Sequence, residues 1–204
     1  MIFSYNKEHV GDTLLVIVAD DLGQENSVER KGNVAKVTAG SNQVVAWNIF
    51  NVSSIISIEG SGQVELTEEQ LNRLNEELKA NGFSEELILD ETPKIVVGFV
   101  RSCKKHPDSD HLSVTQTEVD NGEVLQIVCG APNIKAGQKV VVAKPGAMMP
   151  DGMMIWPGKL RGVESLGMIC SARELNVPNA PEKKGIMELP FDAVVGTPFS
   201  AEDY

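Results

Sequence analysis

The sequence predicts two domains of different texture, an α+β domain over residues 1–92 and an all-β domain over residues 93–204. Three observations predict them. One strong helix signal falls near residues 68–80, and runs of strand length dominate on both sides of it. An acidic stretch with Glu85, Glu86, Asp90 and Glu91 then closes at Pro93, after which the pattern turns β-branched and alternating. At 204 residues the chain suits one or two domains, either of which buries a core without disulfides or metal.

In the first domain, Thr13 to Ala19 is an apolar run of strand length that ends at the turn signal Asp20-Asp21-Leu22-Gly23. Glu29 to Ala39 carries a polar turn at Lys31-Gly32-Asn33. Gln43 to Phe50 alternates, with Val45, Trp47 and Ile49 on one face. Val52 to Ile58 is too short to assign by periodicity, and Gly60-Ser61-Gly62 breaks it. The helix runs from Glu68 to Ala80: Thr67 and Gln70 make a capping box, Glu68 and Glu69 complement the helix dipole, Leu71, Leu74 and Leu78 form one stripe, and Asn81-Gly82 stops it.

In the second domain, Lys94 to Val100 is the first strand. Leu112 to Val119 and Glu123 to Cys129 flank Asp120-Asn121-Gly122, whose Asn-Gly pair is a strong hairpin signal. Gln138 to Ala143 and Met168 to Ser171 complete five strands, with a helical connection expected over Ala131 to Ala136 and a helical turn near Ala172 to Leu175. Pattern alone fits a small closed barrel or a sandwich.

The composition excludes several classes. No apolar run approaches the roughly 18 residues that span a bilayer, and residues 1–10 contain no stretch resembling a secretory signal. Three widely spaced cysteines, Cys103, Cys129 and Cys170, do not form a disulfide framework, so a reducing cytoplasm is the expected location. The net charge of −11 argues at first against nucleic acid, but it is unevenly placed. Residues 1–93 hold 6 Lys+Arg against 16 Asp+Glu, residues 94–175 hold 10 against 8, and residues 176–204 hold 2 against 5. The basic residues of the second domain fall in groups: Arg101, Lys104 and Lys105; Lys135, Lys139 and Lys144; Lys159 and Arg161. They read as solvated surface or as a modest phosphate-tracking face.

Other residue clusters carry less chemistry. Cys103, His106, Asp108, Asp110 and His111 crowd one segment, yet the paired spacing of structural zinc is missing, and a polar turn at Pro107-Asp108 explains them. No metal or cofactor is expected. The glycines at 60 and 62 lack the third glycine of a dinucleotide fingerprint, and no nucleophile–base set marks an enzyme. Met148, Met149, Met153, Met154, Ile155 and Trp156 surround Pro150-Asp151-Gly152, as a hairpin packed on its own domain or as a contact with a partner.

Three ordered motifs then come into register: His106-Pro107-x-x-Asp110-x-Leu112, Ile127-Val128-Cys129-Gly130-Ala131-Pro132-Asn133, and Leu160-Arg161-Gly162-Val163-x-Ser165-x-Gly167-Met168-x-Cys170-Ser171-x-x-Glu174-Leu175. Together they resemble the tRNA-binding OB-fold domain of the bacterial phenylalanyl-tRNA synthetase β chain, found also in some methionyl-tRNA synthetases and in endothelial monocyte-activating polypeptide II. The front half, with Glu29-Arg30-Lys31-Gly32 and Asn48-Ile49-Phe50-Asn51, is similar to the small domain of stand-alone YtpR-type proteins.

The resemblance implies a five-stranded Greek-key OB barrel over residues 93–204 that binds tRNA and catalyses nothing. It carries over the loop at His106-Pro107, the face near Asn133 and Lys135, and the Ser165-x-Gly167-Met168 turn. Ser165 would donate to phosphate or ribose, Gly167 would let the backbone approach closely, and the grouped Lys and Arg residues would supply charge. Aromatic residues after Pro93 are few, Phe99, Trp156, Phe191, Phe199 and Tyr204, which favours a folded RNA held by backbone and shape over bare single strands. The rival reading is a protein-interaction adaptor whose acidic first domain binds a protein partner. Avidity would favour a homodimer through Met148 to Trp156.

Overall fold

The computed structural model describes residues 1–203, which form two compact units, one over Met1–Glu91 and one from Thr92 onward. The first unit is a six-stranded antiparallel sheet with a single α-helix. Its elements are β1 (Ile2–Tyr5), β2 (Thr13–Ile17), β3 (Asn26–Lys31), β4 (Val34–Ala39), β5 (Gln43–Phe50), β6 (Gly62–Val64) and α1 (Glu68–Ala80), and its strand order is β3-β4-β5-β2-β1-β6. This is mostly β, a correction to the α+β expectation. The strands that pattern reading misses, β1 and β6, are short and pair with each other at one side of the sheet.

Local chemistry accounts for the elements. The Thr67–Gln70 capping box forms in both directions, with Thr67 Oγ1 accepting from the Gln70 amide at 3.2 Å and Gln70 Oε1 accepting from the Thr67 amide at 2.8 Å. The stripe Leu71, Leu74 and Leu78 joins Leu14, Val16, Val34, Trp47 and Ile49 in one core. Trp47 meets the edge of Phe83 at a centroid distance of 5.1 Å and an interplanar angle of 85°. The Lys31-Gly32-Asn33 turn joins β3 to β4, with Gly32 at φ 56°.

The second unit contains β7 (Ile95–Lys105), β8 (Ser113–Glu118), β9 (Val124–Cys129), β10 (Lys139–Ala143), β11 (Gly158–Leu160), β12 (Val163–Ser165), β13 (Met168–Ile169) and β14 (Glu188–Leu189). Five strands form one antiparallel path, β13-β10-β7-β8-β9, while β14 adds to β10 and β11–β12 is a separate hairpin. The Asn-Gly hairpin is present: Asn121 sits at φ 57° between β8 and β9. The helical connection expected over residues 131–136 is absent. That segment is two successive turns, held by side chains such as Gln138, whose Oε1 accepts from the Lys135 amide at 2.7 Å.

β7 organises the unit because it changes partner along its length. Ile95 to Phe99 pair with β10, whereas Phe99 to Lys105 pair with β8, and a bulge between Val100 and Ser102 marks the changeover. Gly98 permits the approach of the flanking strands: a Cβ there would lie 2.6 Å from Val142 Cγ2 and 3.2 Å from Thr117 Cγ2. Period-two alternation on β10 divides the apolar residues between two clusters, Val140 and Val142 in one, Val141 and Ala143 in the other. The segment after β11 runs beside β9, where the Leu166 amide donates to Gln126 O at 2.8 Å and Gln126 Nε2 donates to Glu164 O at 2.9 Å.

Residues 148–155 pack on their own unit. Met148 bridges to Met154, the Met149 amide donates to Met153 O at 2.8 Å, and Met149 and Ile155 are buried. Among the described residues, no helix is long and apolar enough to cross a membrane.

Candidate nucleic-acid interface

The outer half of β7 carries Arg101 in the bulge and Lys104 and Lys105 beyond it, and delivers the chain into the loop at His106. His106 is buried, and its ring holds that loop in place. Nδ1 accepts from the Asp108 amide at 3.0 Å, so the ring proton belongs on Nε2, which donates to Leu160 O at 3.1 Å. Arg161, at φ 45° in the β11–β12 turn, donates from Nη1 to Asp108 O at 3.2 Å. The two bonds fasten the β11–β12 hairpin to the end of β7. Lys104, Lys105, Lys159 and Arg161 are thereby gathered at one end of the sheet, all exposed and without an ion-pair partner among the described residues.

The other candidates are placed differently. Arg101 Nε donates to Glu118 Oε2 at 2.9 Å, which holds the Glu118 carboxyl below the usual carboxylate range. Lys144 is buried, with Nζ donating to Asp120 Oδ1 at 2.7 Å. Burial pushes Asp120 upward, but the hydrogen bond and charge of Lys144 outweigh it and leave the carboxyl low. Lys139 lies over the Phe99 ring, 5.3 Å from its centroid. Lys135 is exposed at a turn.

Ser165 does not point outward as the resemblance implied. It is buried, its Oγ accepting from the Val128 amide at 3.0 Å and donating to Gly167 O at 3.2 Å. Gly167 has φ 139°, and a Cβ there would stand 2.7 Å from Ala143 O, so close backbone contact falls within the fold. Asn133 clips a distant segment: Oδ1 accepts from the Ile186 amide at 2.9 Å and Nδ2 donates to Ile186 O at 3.1 Å. Asn133, Ser165, Gly167 and half-buried Met168 line one groove of about 1290 Å³.

That groove also contains cations missing from the sequence-based candidates: Arg173, Lys183 and Lys184, all exposed. The adjacent Lys183-Lys184 pair was the available signal. It was diluted by the net acidity of residues 176–204 and by a segment with almost no strand periodicity. Two of the three thiols are buried and poorly nucleophilic. Burial raises Cys129 and pushes Cys170 up to about 12.

Comparison with known proteins bears on both units. Residues 95–198 match the family model described as "Putative tRNA binding domain", and residues 21–90 match "Domain of unknown function (DUF4479)". The "Putative tRNA-binding protein YtpR" of Bacillus subtilis (strain 168) is 49% identical over 196 residues, covering 96% of this chain and 97% of that protein. The phenylalanine–tRNA ligase beta subunit of Oceanobacillus iheyensis is 61% identical over 92 residues, covering 45% of this chain but only 11% of the subunit. That of Neisseria meningitidis serogroup A is 52% identical over 103 residues, covering 50% of this chain and 13% of the subunit. A solved structure described as a MetRS related protein from Pyrococcus horikoshii has 21% identity and a TM-score of 0.37, covering 54% of this chain and 96% of that one, too loose a likeness to bear on the fold. Matched along nearly its whole length by one relative and across residues 95–198 by the domain model, the chain belongs to the family of tRNA-binding-domain proteins that includes YtpR.

Proposed function

We propose that this protein is a non-catalytic tRNA-binding protein that holds folded RNA by backbone and shape. The observation that carries the reading is the extent of the family match, which runs through both units to a relative named for tRNA binding. The exposed Lys104, Lys105, Lys159 and Arg161 are the phosphate partners, on a scaffold fixed by His106. We further infer an OB-type barrel for residues 93–204, closed where residues 164–166 run beside β9 before β13 joins β10; those hydrogen bonds support it. The acidic domain over residues 1–92 repels phosphate and limits non-specific binding. The adaptor reading is not favoured, because the tRNA-binding relative matches both units rather than one.

Gel retardation of bulk tRNA tests the reading. The four cations at the end of β7 contribute roughly −3 to −4 to the slope of log affinity against log salt. No retardation at low salt by folded protein would falsify it.

A further inference from the structure

The groove beside the β11–β12 hairpin brings together two chemistries that the cationic end of β7 does not combine. Half-buried Trp156 lines it together with Met154, Leu160 and Met168, and so do the exposed cations Arg173, Lys183 and Lys184. The cation-bearing segment is held in place. Arg173 Nη1 donates to Glu182 O at 3.3 Å, and Asn133 clips both backbone groups of Ile186. Two carboxylates also line the groove, and each has an internal donor. Glu174 Oε2 accepts from the Ser171 amide and hydroxyl at 2.7 Å each, and Glu188 Oε1 accepts from Asn133 Nδ2 at 3.3 Å. Three cations against two internally engaged carboxylates leave the groove favourable to an anion with an apolar, flat portion.

A nucleotide has that composition. At about 1290 Å³ the groove exceeds the roughly 300–1,000 Å³ of a small-molecule site, which suits a short stretch of chain better than one free nucleotide. Resting on the tRNA-binding reading, we propose that this groove seats an unpaired segment of the bound RNA. One base lies against the Trp156 indole, and the adjoining phosphates lie against Arg173, Lys183 and Lys184. A duplex hides its base faces in its own stack, so this groove would select RNA with an accessible single-stranded element. The cations at the end of β7 read only the backbone. Trp156 is then a stacking platform in a domain with few aromatic side chains.

Trp156 supplies its own reporter, because Trp47 is 1% exposed within the core of the first unit. The experiment titrates the full chain with bulk tRNA, with a 12-mer of oligo(A), and with a blunt RNA duplex of equal length, following both tryptophan emission and gel retardation. The expected result is saturable quenching by tRNA and oligo(A) but not by the duplex, and loss of that quenching in Trp156→Phe. Trp156→Leu keeps the site apolar and weakens oligo(A) binding by about fivefold or more. Lys183→Glu with Lys184→Glu, at exposed positions that leave the core intact, weakens tRNA and oligo(A) alike and makes the salt slope shallower by about 2. Normal tRNA retardation with unchanged emission, and wild-type affinity in all these variants, would overturn the groove while leaving the function standing. Failure of the wild-type chain to bind any RNA would remove both.

Discussion

Lys144 and Asp120 are 24 residues apart in sequence and 2.7 Å apart in space, the ammonium of the former donating to Oδ1 of the latter. With side chains 8% and 21% exposed, the pair is largely withdrawn from water. A lysine counted by sequence among the RNA-binding candidates therefore serves the fold instead. Asp120→Asn strands a buried ammonium and should lower stability by about 3 kcal/mol, measured by urea denaturation, while tRNA affinity of the folded protein stays unchanged.

The same pair sets a pH dependence. The Asp120 carboxyl titrates below its unfolded value of about 3.9. Its contribution is thus fully present above that value and is lost as pH falls through the lower folded value. Wild type should lose this stability progressively as pH falls below about 4. Asp120→Asn should show a shallower acid limb, and an acid limb as steep as that of wild type would exclude this pair as its source.

His106 and Lys159 should separate under salt. Lys159→Ala removes one phosphate partner and makes the slope of log affinity against log salt shallower by about 0.9. His106→Phe instead loses the bond to Leu160 O and loosens the hairpin that carries Lys159 and Arg161. Affinity should fall with the slope unaltered.

Ser165 and Gly167 should report on stability rather than contact. Ser165→Ala leaves the Val128 amide without its partner inside the fold, at a cost of about 1–3 kcal/mol. Gly167→Ala forces a Cβ against Ala143 O and disturbs the β10–β13 pairing, costing more than about 1 kcal/mol. In both, thermal unfolding should shift while the folded fraction still retards tRNA.

What the sequence revealed follows the range of the interactions involved. The helix over residues 68–80, the strand over residues 43–50 and the Asn121 hairpin are specified within a few residues, by a capping box, an alternation and a left-handed turn. β1 and β6 were hidden because four-residue and three-residue strands carry too little periodicity. The candidate interface was legible in residue type and illegible in direction. His106, Ser165 and Lys144 are polar side chains whose partners lie 24 to 54 residues away, at Leu160, Val128 and Asp120. Only the folded chain shows that these three face inward. Arg173, Lys183 and Lys184 went unselected for the converse reason, since loop residues acquire a shared surface only when Asn133 pins their segment.

The burial of two of the three thiols gives the molecule a selective chemical handle. Cys170, pushed up to about 12, and the raised, buried Cys129 hold almost no thiolate at neutral pH. Cys103 is only half-buried, on β7 immediately before Lys104. A maleimide applied briefly at neutral pH should therefore tag one position, which would let a fluorophore or spin label be placed beside the cationic end without engineering a single residue.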